Sequence, residues 1–237
     1  MMKKLIFTSA AVVFLASGIF AQDGVSDLVY RVGGRYNRPV TEEILQKAGS
    51  LADLIPDYPV HWINDYVSVE ILANVHGKVL KARGTDAVLT GQQKNILDRL
   101  APADDLEINI KYRSVNVVTQ AVVNNLMHTT FTVVPETRAG FTGGDAALDR
   151  YLKDHGIDKV SKNMPAGFKG VTVRFTVDER GVVTGARVSR SSGSAAIDRL
   201  LLDAVRNMPR WKPAENAKGE KVKQEFEFNA GKPAEGC

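Results

Sequence analysis

Between residues 171 and 177 the apolar positions alternate strictly: Val171, Val173, Phe175 and Val177 fall on one side, Thr172, Arg174 and Thr176 on the other. That period of two predicts a half-buried strand. Asp178-Glu179-Arg180-Gly181 then predicts a hairpin turn with positive φ at Gly181, and residues 182–190 return antiparallel. Ser194 is placed to cap a helix in which Ile197, Leu200, Leu201, Ala204, Val205 and Met208 recur at helical spacing, until Pro209 ends it. A last strand is predicted over 221–229, with Val222, Phe226 and Phe228 facing inward. Upstream of the hairpin, Gly143-Gly144 reads as a turn, Asp145 as an N-cap, and Leu148, Tyr151 and Leu152 as the buried face of a short helix.

The pattern before residue 136 is less regular. Residues 41–54 predict one helix capped by Thr41, with Ile44, Leu45, Ala48, Leu51 and Ala52 on its buried face. Two prolines within 53–59 mark a boundary. From Tyr66 the period is two, with Val67, Val69 and Ile71 inward, His76-Gly77 as a turn, and Val79 continuing the apolar theme. Thr90 and Gln93 have the spacing of a capping box, opening a helix that turns Ile96, Leu97 and Leu100 inward. Leu106, Ile108 and Ile110 alternate again, 115–123 does so more loosely, and Phe131 to Val134 form a closing apolar run. The expected organisation is an N-terminal segment at 22–60, a small β-rich domain at 61–135, an α+β domain at 136–232 and a polar tail at 233–237.

The first 21 residues change the picture of where the protein acts. Lys3 and Lys4 precede an uncharged apolar run that ends at Ala21, before Gln22-Asp23-Gly24. This is the order of a cleaved signal peptide, with Gln22 as the new N-terminus. The run is short for a span of ~30 Å of hydrocarbon, so an uncleaved anchor is the alternative. Of 237 residues, 44% are hydrophobic and 24% charged, an ordinary globular composition. The formal charge of +4 falls to +2 without Lys3 and Lys4, a weak argument for nucleic acid, which normally meets a concentrated basic face. Cys237 is the only cysteine, so no internal disulfide forms and the cores must carry the stability.

The C-terminal motifs carry a family resemblance. They are Phe141-Thr142-Gly143-Gly144-Asp145-Ala146-Ala147-Leu148, the strand from Gly170 to Asp178, Gly181, Val188 to Gly193, Met208-Pro209-Arg210-Trp211-Lys212-Pro213-Ala214 and Gly219-Glu220-Lys221-Val222. Over roughly 90 residues these resemble, in order and spacing, the C-terminal domain of TonB-type energy transducers, and the Trp-Lys-Pro-Ala box is the most specific part. The family often has a Tyr-Pro pair before the first strand, and 157–168 has none. No long proline-rich spacer is encoded either. The strand, Thr-initiated helix and Leu-x-Ile-x-Ile strand of the middle region are faintly similar to the C-terminal domain of the gliding-motility protein GldM.

The residues offer no catalytic constellation. His61, His76, His128 and His155 are dispersed, outside any metal-ligand spacing. There is no G-x-S-x-G elbow, and the serines at 189–194 sit where Ser serves turns and caps. Gly33-Gly34 is an isolated turn-forming pair, and Asp178 with Glu179 reads as a solvated turn. The expectation is a non-enzymatic protein without cofactor.

The resemblance implies an interaction module that grips an extended segment of a TonB-dependent outer-membrane receptor, or of another envelope protein. The expected fold is a three-stranded antiparallel sheet with two helices. The hairpin joins its first two strands, and the crossover helix returns the chain to the first strand's other side. That order leaves the last strand at an edge, open to an added strand. The candidate docking residues are therefore Lys221, Val222, Lys223, Gln224, Glu225, Phe226, Glu227 and Phe228, with Trp211 as a candidate binding aromatic, although a Trp after a helix and before Lys-Pro more often covers the core edge. The exported form is expected in the periplasm; with 1–21 kept as an anchor, the chain would instead be a membrane-anchored transducer facing the periplasm. Exposed edge strands also leave the chain open to pairing as a homodimer.

Overall fold

The alternating segments become two sheets, each covered on its apolar face by helices. The computed structural model describes residues 28–75, 77–165 and 167–232. The expected leader with its junction at Ala21 and Gln22, His76, and the tail at 233–237 with Cys237 lie outside the described residues.

In chain order the elements begin with β1 (Val29–Gly34), β2 (Arg38–Thr41), α1 (Glu42–Lys47) and α2 (Leu51–Leu54). Next come β3 (Asp65–Val75), β4 (Lys78–Gly84), α3 (Gly91–Leu97), β5 (Asp105–Val115) and β6 (Val122–Val134). Then follow β7 (Gly140–Phe141), α4 (Asp145–Leu152), α5 (Asp158–Lys162), β8 (Val171–Val177), β9 (Val183–Arg190) and α6 (Ala195–Arg206). The chain closes with β10 (Trp211–Lys212), β11 (Ala214–Glu215), β12 (Lys221–Val222) and β13 (Gln224–Gly231).

The middle sheet has the order β2-β6-β5-β3-β4, antiparallel except where β2 runs parallel to β6. Val69, Ile71, Leu106, Ile108 and Ile110 are fully buried in its core, packed with Leu45, Leu51, Leu54, Ile96 and Leu97 from the three short helices. The capping box at α3 forms as expected: Gln93 N–H donates to Thr90 Oγ1 at 3.3 Å, and Thr90 N–H donates to Gln93 Oε1 at 2.8 Å. The same buried Gln93 donates through Nε2 to the Val69 carbonyl at 3.0 Å, tying the helix to β3. Gln93→Ala strands that carbonyl and uncaps the helix, and should cost about 1–3 kcal/mol in a urea titration.

Three local expectations change. Residues 41–54 form two helices, because Asp53 draws the amides of Gly49 and Ser50 onto its carboxylate and starts a second turn. Thr41 caps the first as expected, but Ile44 and Ala52 face solvent. Val67 also turns outward, because a bulge between Tyr66 and Ser68 shifts the register there. Residues 115–123 are the tip of the β5–β6 hairpin: Asn116 Oδ1 accepts from the amides of Val118 and Thr119, and Asn116 N–H donates to the Ala121 carbonyl.

The three expected strands of the C-terminal sheet are present as β13-β8-β9, and β1 joins them as a fourth, giving the order β1-β13-β8-β9. β1 pairs antiparallel with β13 from Val29↔Gly231 to Gly34↔Phe226, and it buries Leu28, Tyr30 and Val32 in the core beneath α4 and α6. Residues 28–55 are thus divided: β1 belongs to the C-terminal sheet, while Val40, Leu45, Ala48, Leu51, Leu54 and Ile55 belong to the middle core. The predicted hairpin is present, with Val171, Val173, Phe175 and Val177 buried and Gly181 at φ +77°. Gly144, and not Asp145, is the N-cap of α4, and the helical path continues through a π turn at Lys153–Ile157 into α5. At Gly156 a Cβ would lie 2.8 Å from Leu201 Cδ2, so the glycine lets α6 close on that turn.

Asp178 is not a solvated turn residue. Its Oδ1 accepts the amides of Val182 at 2.8 Å and Arg180 at 3.0 Å, and its Oδ2 accepts the Arg180 guanidinium. The Val182 amide above all, with Arg180 adding to it against the opposing effect of burial, holds the carboxyl below its ordinary 3.8. A depressed folded value means the ionised group stabilises the fold at neutral pH, and that the gain is lost as pH falls below 3.8 through the folded value. Asp178→Asn should therefore lower the melting midpoint at pH 7, and its deficit against the wild type should shrink on acidification below that range.

Candidate functional site

The last strand was the expected docking edge, and the fold positions it by three sets of contacts. Along its core side, Phe226 and Phe228 are fully buried, and Gln224 Oε1 accepts the Ala139 amide at 2.8 Å. Phe226 stacks on Phe175 with centroids 5.4 Å apart. Along its solvent side the alternate residues are engaged by β8 and by the residue after β1: Glu227 with Arg174 at 2.8 Å, Asn229 with Thr172 at 2.7 Å, and Glu225 with Arg35 at 2.9 Å. Lys223 reaches Glu179 at 3.9 Å. Such half-exposed pairs contribute little stability each, so they set register and charge balance more than strength.

The expected strand at 221–229 divides at Lys223. Lys221 and Val222 form β12, paired with β11 through Ala214↔Val222 and Glu215↔Lys221. From Gln224 onward β13 pairs with β8 on one side. On the other side it is not at an edge: β1 covers it from Phe226 to Gly231, and the Arg35 amide takes the Glu225 carbonyl at 3.2 Å. The difference has a simple origin. Tyr30 and Val32 face inward around an outward Arg31, a period of two readable in the sequence, but the strand is only six residues long. Gly33-Gly34, expected as a turn, completes it opposite Glu227 and Phe226.

Trp211 is placed in the core. It is 4% exposed and pairs with Phe141 across β10 and β7. Its ring lies 5.1 Å from Phe226, 5.5 Å from Phe141 and 6.0 Å from Phe175. The structure therefore brings Phe226, Phe228 and Trp211 together beneath the sheet and leaves Lys221, Lys223 and Glu225 on its solvent side. Arg35 and Arg174, which hold Glu225 and Glu227, carry no sequence signal for this role, because their partners lie across strands far apart in the chain.

Between the two sheets, Gly34 to Asn37, Val133 to Pro135 and the start of β13 line a polar cleft of about 410 Å³. Among the described residues no group of three or more His, Cys, Asp or Glu is arranged to hold a metal ion. No described helix is long and apolar enough to cross a membrane.

Residues 169–230 match the family model described as the Gram-negative bacterial TonB protein C-terminal. No curated protein and no solved structure matches the chain. The matched segment spans the β8–β9 hairpin, α6 and the closing strands, so the chain carries a TonB C-terminal domain there. Such domains are non-catalytic interaction modules that act in the periplasm and bind TonB-dependent outer-membrane receptors.

Proposed function

We propose that this chain is an exported periplasmic interaction protein that binds an extended segment of an outer-membrane receptor, or of another envelope protein, by strand addition at β13. The observation that carries the reading is the pairing of β1: the side of β13 away from β8 already accepts a six-residue antiparallel strand. A strand's outward N–H and C=O groups do not distinguish a partner's backbone from the chain's own. The incoming segment therefore takes the place of β1 along Phe226 to Gly231, while Lys221 to Glu225 meet its flanking residues. Phe226 and Phe228 support the edge from beneath, and Trp211 supports them.

Locking β1 in place tests this. In a Cys237→Ser background, Arg31→Cys with Asn229→Cys puts thiols on one cross-strand pair. A synthetic peptide of the periplasm-facing segment of a TonB-dependent receptor should bind the reduced protein and lose binding when the disulfide forms. Equal binding in both states rejects exchange at β13.

The second reading keeps residues 1–21 as a membrane anchor and makes the chain a transducer, favoured by the uncharged apolar run at 5–20. Mass spectrometry of the mature chain decides: a start at Gln22 supports export with cleavage, and a start at Met1 or Met2 supports the anchor.

A further inference from the structure

The four-stranded and five-stranded sheets end in four edges, and three of these carry positive charge along the strand. β4 bears Lys78, Lys81 and Arg83, β9 bears Arg187 and Arg190, and β1 bears Arg31. Charges on edge strands are a common guard against unwanted pairing. The fourth edge is different. β6 runs for thirteen residues, but β2 covers only Phe131 to Val134. Residues 122–130 therefore expose one side of their backbone along nearly the whole strand.

That length has no acidic, lysine or arginine side chain, no proline and no bulge. No Asp, Glu, Lys or Arg occurs anywhere in 114–135, and Pro135 lies beyond the strand. The β5–β6 ladder keeps unbroken register from Asp105↔Thr132 to Val115↔Val122, with no bulge to twist the edge away. Val122 and Leu126 are each 63% exposed on the outward face, and Val123 is 40% exposed on the other. A long, regular, apolar and uncharged edge is a site for strand pairing.

We propose that residues 122–130 of β6 pair antiparallel with the same residues of a second copy of this chain, around a twofold axis at Leu126. In that register Leu126 faces Leu126, Asn125 faces Met127, Asn124 faces His128, Val123 faces Thr129 and Val122 faces Thr130. Every pair is uncharged or carries a single His, so the contact is self-complementary and closes as a dimer. The same operation at β4, around its central Lys81, would set Lys81 directly against Lys81, and like charges directly opposite are unfavourable. The register fills the edge to the point where β2 begins, and it merges the two middle sheets into one.

The full chain tests this by sedimentation across a concentration series. Wild type should sediment as a dimer. Leu126→Lys and Leu126→Glu should each weaken dimerisation at least about tenfold, because each sets like charges across the axis, and an equimolar mixture of the two should recover it. Leu126 is exposed, so circular dichroism melts should stay near wild type. Should either variant fail to fold, crosslinking replaces it. In a Cys237→Ser background, Leu126→Cys should form an intermolecular disulfide on mild oxidation, and Val79→Cys, exposed on β4, should not. A wild type that stays monomeric, charged variants that dimerise like wild type, a mixture that remains monomeric, or absent crosslinking at Leu126 would overturn the proposal.

Discussion

Gly181→Val should unfold the C-terminal unit or cost it about 3 kcal/mol or more, well beyond what an unfavourable φ alone demands. Two effects act together. The turn holds Gly181 at φ +77°, which a β-branched residue resists, and a Cβ there would sit 1.9 Å from the Trp211 carbonyl oxygen. That oxygen is fixed, because the Trp211 amide donates back to the Gly181 carbonyl at 2.8 Å. Backbone meets backbone, so no side-chain rotation relieves the contact. Gly185 supplies the control. It has φ +62°, and a methyl group on its Cα would meet nothing within 4 Å, so Gly185→Ala should cost only about 1–2 kcal/mol. Urea titrations of Gly181→Ala and Gly185→Ala separate the two contributions, and equal costs would mean that the Trp211 carbonyl does not crowd the turn.

Trp211→Ala should cost about 3–5 kcal/mol. The indole fills the space among Phe141, Phe175 and Phe226, and removing it leaves a cavity under both β8 and β13. Its place in the core also decides between two roles. A docking aromatic would lose partner affinity on truncation while the melt stayed put. A core aromatic lowers the melt first, and any loss of affinity follows from a deformed β13. A wild-type melt for Trp211→Ala would return the residue to the docking surface.

The parts of the fold that are legible in the sequence are those set by local chemistry. The strand with Val171, Val173, Phe175 and Val177, the turn at Gly181, the helix carrying Ile197, Leu201 and Val205, and the box of Thr90 and Gln93 each depend on neighbours within a few residues. What escapes depends on distant partners. Nothing near Tyr30 and Val32 announces that their strand completes a sheet some two hundred residues later. Likewise the bulge that turns Val67 outward answers to the register of β5, and Asp178 is buried by a loop it organises itself. The candidate site suffers most from this. Its residues lie on a strand that is present, but an edge position follows from strand order, which local periodicity does not encode. Trp211 has a polar-looking context of Arg210, Lys212 and Pro213 that leaves core edge and docking surface both open, and the packing of Phe141 and Phe226 decides for the core.

The pairing of β1 with β13 also governs how the polypeptide is assembled in time. Synthesis runs from the N-terminus, so the strand made first must wait for the strand made almost last. Closing a loop of this length carries an entropic cost before any contact rewards it, and such long-range pairing slows folding. In the interval Leu28, Tyr30 and Val32 have no core to enter, while the middle sheet, whose strands are closer in sequence, can form ahead of them. β1 and β13 together thus act as a clasp: a nascent chain stopped short of residue 224 holds a finished middle sheet and an unfastened end, and only a chain that extends through β13 can shut it.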